Sequence, residues 1–145
     1  ERPSPHQAPI TPHPAEAPPL LDCTGGEVQA DREAAARRLA RMYHCIAVLK
    51  GRGTLIATPG GEGYHNPTGS AGLAKGGSGD ILAGLLSGLL AAGLKQGRTA
   101  EDAAIAAVWL HGAAGDRCAK RLGMAAMLPH DIFADLGAIF AELER

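Results

Sequence analysis

Aromatic side chains are nearly missing from this chain: one Trp, two Tyr and two Phe in 145 residues. That suits helices packed closely on a sheet and argues against an aromatic-rich binding surface. Excess charge is missing too. The formal net charge is −1, which leaves no electrostatic footprint for nucleic acid or an acidic membrane surface. Cysteine is sparse: Cys23, Cys45 and Cys118 are scattered, with no CxxC and no Cys/His cluster. Neither zinc nor a disulfide framework is implied. Reduced thiols packed as small hydrophobes are, and they point to the cytoplasm. No stretch is long and apolar enough for a membrane span, the best being the glycine-broken run 81–94, and the N-terminus has no secretory apolar core. There is no P-loop signature and no GxGxxG after a clear strand. The initiating Met is also absent, since the chain starts at Glu1, and this predicts a fragment.

Glycine, by contrast, is abundant, with 20 residues. Its densest use is the stretch Asn66-Pro67-Thr68-Gly69-Ser70-Ala71-Gly72-Leu73-Ala74-Lys75-Gly76-Gly77-Ser78-Gly79-Asp80, which runs straight into the apolar helical pattern Ile81-Leu82-Ala83-Gly84-Leu85-Leu86. Glycines let backbone N–H groups turn inward and approach an anion. A helix start leaves its first N–H groups unpartnered and carries a partial positive charge. Together they suit a phosphate. Asp80 stands where a substrate hydroxyl meets that phosphate, placed to take its proton. The competing reading of the same residues is a loop followed by an N-cap.

Seven of the ten prolines fall in Glu1–Pro19, which predicts an extended arm over 1–19 followed by a single domain over 20–145. Thr24 with Glu27 predicts a capped short helix. A longer helix follows from about Asp31 to His44, with Leu39, Met42 and Tyr43 on one face and the arginines Arg32, Arg37, Arg38 and Arg41 on a solvated one. Cys45–Leu49 reads as a strand buried on both faces, Lys50–Gly53 as a turn at its end, and Thr54–Thr58 and Tyr64–His65 as further strands. The run 81–94 predicts a helix buried all round, with Gly84 and Gly88 admitting another backbone. Thr99 caps the next helix, which carries Trp109 as core and runs to about Leu122. The last helix starts near His130 and turns Ile132, Phe133, Leu136, Ile139, Phe140 and Leu143 to the core. Helices on a sheet make the fold class α/β, and ligands in such folds sit beyond the carboxyl ends of strands.

Five blocks in order resemble the NAD(P)H-hydrate dehydratase family: His13-Pro14-Ala15-Glu16, Leu49-Lys50-Gly51-Arg52-Gly53-Thr54, Asn66-Pro67-Thr68-Gly69, Leu73 through Gly84, and His111-Gly112-Ala113-Ala114-Gly115-Asp116. These are ribokinase-like proteins, often the C-terminal domain of a bifunctional repair enzyme. The resemblance implies the C-terminal half of a ribokinase-like three-layer sandwich. It implies that a hydroxyl on the hydrated ring of NADH or NADPH is phosphorylated from ADP (or ATP), after which phosphate leaves and NAD(P)H is restored. It implies Asp80 as the base, the amides of Gly77, Ser78 and Gly79 as the cradle of the transferring phosphoryl group, and Lys50, Gly51, Arg52, Gly53, Thr54 and Gly79 as nucleotide contacts. His13 and Asp80 then contact the hydrated substrate, with Mg2+ on the phosphates through ligands that the sequence leaves unassigned. A homo-tetramer and an upstream epimerase domain are further implied partners.

The chain departs from the pattern in several places. Ala15 replaces a glycine, Ser70 stands where Asn is common, and Pro18 and Pro19 fall where the family begins a helix. The family's N-terminal half, with several central strands, has no counterpart, which predicts weak or absent turnover and exposed apolar surface. Two alternatives share the Gly-Asp loop: a ribokinase-like small-molecule kinase, and a non-catalytic nucleotide-binding remnant. For Lys75 a phosphate contact and a solvated side chain are both open. Asn66, Thr68, His111 and Asp116 are expected to act structurally.

Overall fold

A computed structural model describes residues 8–145, so the first seven residues of the expected arm lie outside the described residues. Strand β1 (Ala47–Leu49) is the centre of the fold. Ile46 and Val48 face one way, Ala47 and Leu49 the other, and all four are buried. Apolar residues in both phases of a period-two strand require cover on both faces. On one face lie α1 (Ala17–Leu21), α2 (Gly25–Ala30) and α3 (Arg32–Tyr43), which bring Leu21, Val28, Ala36, Leu39 and Ala40 onto Ala47 and Leu49. On the other lie α4 (Ser78–Leu94) and α5 (Ala100–Leu122), with Leu82, Leu86, Ala104 and Val108 against Ile46 and Val48. Helix α6 (Ile132–Leu143) packs Ile132, Leu136 and Ile139 on Leu110, Ala114 and Cys118 of α5. The result is the helix–sheet–helix layering of an α/β sandwich. Enclosing Leu39 or Leu49 contributes roughly 1.5–3 kcal/mol each.

β2 (Leu55–Ala57) pairs antiparallel with β1, and β3 (Gly63–His65) antiparallel with β2, in register Val48↔Ile56↔Tyr64. Segment 10–12 adds to the other side of β1 in parallel: Ile10 N–H donates to Ile46 O (2.9 Å), Val48 N–H to Ile10 O (2.8 Å) and Lys50 N–H to Pro12 O (2.9 Å). Segment 10–12, β1 and β3 therefore all end at the same edge of the sheet. Both expected caps form, each as a capping box. Glu27 N–H donates to Thr24 Oγ1 and Thr24 N–H to Glu27, and the same exchange joins Asp102 and Thr99. Each cap is worth about 1 kcal/mol.

Several expectations are corrected. Among the described residues the proline-rich arm pairs along β1 only over segment 10–12, and α1 then runs across the expected boundary at 19/20. Pro18 and Pro19 sit in its first turn, where the missing N–H has no partner to lose. On α3 only Leu39 of the three expected residues is buried; Ala35, Ala36 and Ala40 complete the face and let the helix sit close, while Met42 and Tyr43 are exposed. Helix α4 starts three residues early and is covered on one side only, because the sheet, α5 and α6 all reach that side. No atom lies within 4 Å of a Cβ built on Gly84 or Gly88, so no backbone approaches them among the described residues. Trp109, Phe133, Phe140 and Leu143 are exposed rather than core. Among the described residues, no helix is long and apolar enough to cross a membrane.

Candidate active site

The shared edge gathers four segments: 13–16 after segment 10–12, Lys50–Thr54 after β1, 66–69 after β3, and the N-terminus of α4. Gly77 caps α4 at φ +95°, a left-handed value that glycine takes without strain, and no side chain closes the helix end. The N–H groups of Gly77 and Gly79 find no acceptor among the described residues, whereas that of Ser78 donates to Lys75 O at 3.2 Å. Two of the three expected cradle donors are thus available, and the third is committed to the turn that shapes them. Asp80 is the third residue of the helix and exposed, and its carboxylate has no hydrogen-bond or ion-pair partner among the described residues.

Lys50 connects the Lys50–Thr54 turn to this helix mouth. Its Nζ lies 3.3 Å from a Cβ built on Gly79, so a side chain there meets the ammonium. It also lies 3.8 Å from Glu16. Glu16 in turn accepts the His13 N–H at 2.6 Å, and its carboxyl is held below the usual carboxylate range by that N–H first and by Lys50 second. His13 Nδ1 accepts from Ala15 N–H at 3.2 Å, which folds its ring over its own turn. Gly51 and Gly53 are both left-handed, and the His65 ring packs where a Gly53 side chain would be. Thr54 Oγ1 donates to Gly51 O at 3.2 Å, and the Arg52 side chain is exposed.

The glycine loop is anchored on α5. Asn66, buried, donates from Nδ2 to Thr68 O and Oγ1 (2.9 and 3.0 Å) and to Val108 O (3.4 Å). Thr68 Oγ1 donates to Trp109 O at 3.0 Å, and Gly69 N–H to Asp116 at 2.9 Å. Gly112 permits this approach: a Cβ there lies 2.8 Å from the Thr68 carbonyl. His111 is buried with Nε2 3.1 Å from Ser78 O and 3.3 Å from Ser78 Oγ, and burial pushes its pKa down, so at neutral pH it braces the first turn of α4 as an uncharged ring. Lys75 takes neither expected role. Its ammonium donates to the carbonyls of Met124 (3.1 Å), Ala125 (3.0 Å) and Met127, tying the loop before α6 to the glycine stretch.

Arg32 is the residue that the sequence reading missed. Expected on a solvated face, it donates instead to the carbonyls of Arg52, Lys50 and Leu49. No local pattern flags it, because those partners lie far along the chain. The arrangement as a whole offers spare amides, a lysine, a helix mouth and a lone carboxylate at one place, which suits a phosphate ester next to a hydroxyl that must lose its proton.

Known proteins resemble this chain in sequence and in fold. Residues 4–137 match the NAD(P)H-hydrate dehydratase family. The chain is 50% identical over 119 residues to the ADP-dependent (S)-NAD(P)H-hydrate dehydratase of Neisseria meningitidis, covering 82% of this chain and 39% of that protein. It is 43% identical over 136 residues to the bifunctional NAD(P)H-hydrate repair enzyme Nnr of Moorella thermoacetica, covering 94% of this chain and 25% of that one. The ADP/ATP-dependent NAD(P)H-hydrate dehydratase of Bacillus subtilis, co-crystallised with ATP and Mg2+, superposes with a TM-score of 0.85 at 32% identity, over 94% of this chain and 48% of that one. The chain thus spans less than half the length of each of these relatives. A match over nearly all of its length, in sequence and in fold, means that the chain belongs to the NAD(P)H-hydrate dehydratase family.

Proposed function

We propose that this chain carries the phosphoryl-transfer half of an ADP-dependent (S)-NAD(P)H-hydrate dehydratase. NAD(P)H hydrate and ADP go to NAD(P)H, AMP and phosphate. The observation that carries the reading is the meeting of Lys50 with Gly79, which joins the nucleotide turn to the helix mouth beside the unpartnered Asp80.

In this reading Lys50 to Thr54 and Gly79 hold the nucleotide. The spare amides of Gly77 and Gly79 stabilise charge on the transferring phosphoryl group, and Ser78 supports them through its bond to Lys75. Asp80 takes the proton of the ring hydroxyl as its oxygen bonds to the β-phosphorus of ADP and AMP departs. Hydroxide is a poor leaving group and phosphate a good one. The C–O bond then breaks, the neighbouring ring carbon loses a proton, and the dihydropyridine is restored. His13, in the turn that Glu16 closes beside Lys50, contacts the hydrated substrate in this reading. Glu16, the carboxylate beside Lys50, would hold Mg2+ directly or through its waters, and the bound ion would offset phosphate charge. ADP is the preferred donor, as in the name of the Neisseria relative. An adjoining epimerase domain, as the bifunctional relatives suggest, a homo-oligomeric state and a cytoplasmic location complete the proposal.

The test is formation of AMP from ADP that depends on NADH hydrate and matches NADH recovered. Phosphorylation of a pyrimidine alcohol instead would make the chain a small-molecule kinase. A second reading, nucleotide binding without turnover, draws on the uncovered face of α4, which leaves the helix that bears Asp80 open on one side. Binding of ADP with no AMP released decides for it.

A further inference from the structure

Arg32 opens α3 directly after the Asp31 cap and reaches across to the end of β1. Its Nη1 donates to Arg52 O at 2.7 Å, and its Nη2 to Lys50 O at 3.1 Å and Leu49 O at 3.4 Å. A Cβ built on Gly51 lies 2.8 Å from Nη2 and 3.6 Å from Pro14, so the guanidinium, the turn and the His13–Glu16 segment are packed in one place. We infer that Arg32 is a positioning residue of the nucleotide site: by gathering the turn's carbonyls on one side, it aims the amide hydrogens of Gly51 and Gly53 the other way, as donors to a phosphate. The inference rests on the nucleotide reading above.

The reason is peptide geometry. A trans peptide sets its C=O and N–H antiparallel, and no cis bond occurs among the described residues. Lys50 O shares a peptide plane with Gly51 N–H, and Arg52 O shares one with Gly53 N–H. Drawing both oxygens onto one cation leaves both hydrogens pointing away from it. Neither N–H has an acceptor among the described residues. Successive spare amides of this kind form an anion-binding concavity.

The glycines make the brace necessary. At φ +133° and +62° they occupy backbone space that other residues seldom enter, and glycine's wide freedom lets the same peptides swing elsewhere. A peptide that flips presents its oxygen to the phosphate and repels it. The planar guanidinium spans carbonyls spaced along the turn, whereas a lysine ammonium is a point charge that reaches fewer of them.

The test compares wild type, Arg32→Gln and Arg32→Lys by three measurements: 15N order parameters of residues 50–54, affinity for Mg·ADP by calorimetry, and the thermal transition. In Arg32→Gln the order parameters of the turn fall from the rigid range near 0.85 to below about 0.6 while those of β1 and α3 hold. ADP affinity drops by about tenfold, and Arg32→Lys recovers part of both effects. Should Arg32→Gln fail to fold, the same loss in milder form is expected in Arg32→Lys. A turn that stays rigid in the folded variants, or one that loosens with ADP affinity unchanged, overturns the inference. If wild type itself binds no ADP, the nucleotide reading fails, and loosening of the turn on substitution still decides whether Arg32 braces it.

Discussion

The glycine loop and the Lys50–Thr54 turn meet at one site but are held by opposite means. The loop is tied at many points. Asn66, Thr68 and Gly69 each bond to a different residue of α5, Lys75 binds three carbonyls ahead of α6, and His111 braces Ser78. The turn has fewer supports: beyond the Thr54–Gly51 bond, its Lys50 and Arg52 carbonyls, with that of Leu49 just before it, converge on one guanidinium. A structure with many ties should lose its shape gradually as ties are removed. One that hangs on a single side chain should fail in one step. The proposed base, Asp80, follows the first kind of support, whereas the proposed nucleotide contacts depend on the second.

The largest expected effect lies outside both frames and sets the scale. Asp80→Asn should lower NADH-hydrate-dependent AMP formation by about 10²–10⁴-fold while ADP affinity, measured by calorimetry, stays near wild type. An equal loss of both would mean that Asp80 holds the loop rather than the proton. Gly112→Val comes next. Its side chain must enter where the Thr68 carbonyl lies 2.8 Å away, and backbone cannot move aside cheaply. A loss of about 1–3 kcal/mol in urea unfolding is expected, with a weaker cradle as its consequence.

Acid provides a third test. Burial places the His111 pKa below its ordinary value of about 6.5. As pH falls below that value, the unfolded chain takes up a proton that the native ring refuses, so stability declines, with a slope of at most about 1.4 kcal/mol per pH unit, until the folded pKa is reached. His111→Gln should flatten this stretch of the stability–pH curve. An unchanged curve would place the titration elsewhere. The smallest effect tests the contrast most directly. Thr68→Val removes one of the loop's several ties to α5, along with the Asn66 contact to the same hydroxyl, and should cost about 1 kcal/mol, with ADP affinity altered less than in Arg32→Gln. A Thr68 variant as damaging as the Arg32 one would erase the difference between the two loops.

What the sequence made legible was local or ordered along the chain. Thr24 with Glu27 and Thr99 with Asp102 announce their helices because a capping box lies within four residues. Cys45–Leu49 announces a central strand because both its phases are apolar. Helix α4 hid its start because a left-handed glycine caps it in place of a side chain, and α1 hid behind prolines that a first turn tolerates. Apolar residues all round α4 and along α6 suggested burial, yet burial depends on what packs there, which no periodicity records. In the site, the blocks carried Asp80, Lys50 and the glycines. Arg32 and Lys75 escaped because a side chain that binds distant carbonyls leaves no mark in its own neighbourhood.

Segment 10–12 has an outer flank, and its composition has a consequence for crowded solutions. Ile10 and Pro12 spend their backbone groups on β1. Pro9, Pro12 and Pro14 have no hydrogen to give, and the His13 N–H is taken by Glu16. Among residues 9–14, strand alternation therefore leaves Thr11 as the one outward donor along this border. A second molecule seeking to stack there in cross-β fashion would gain one rung and no ladder, so the prolines that interrupt regular structure also keep this border from templating fibrils.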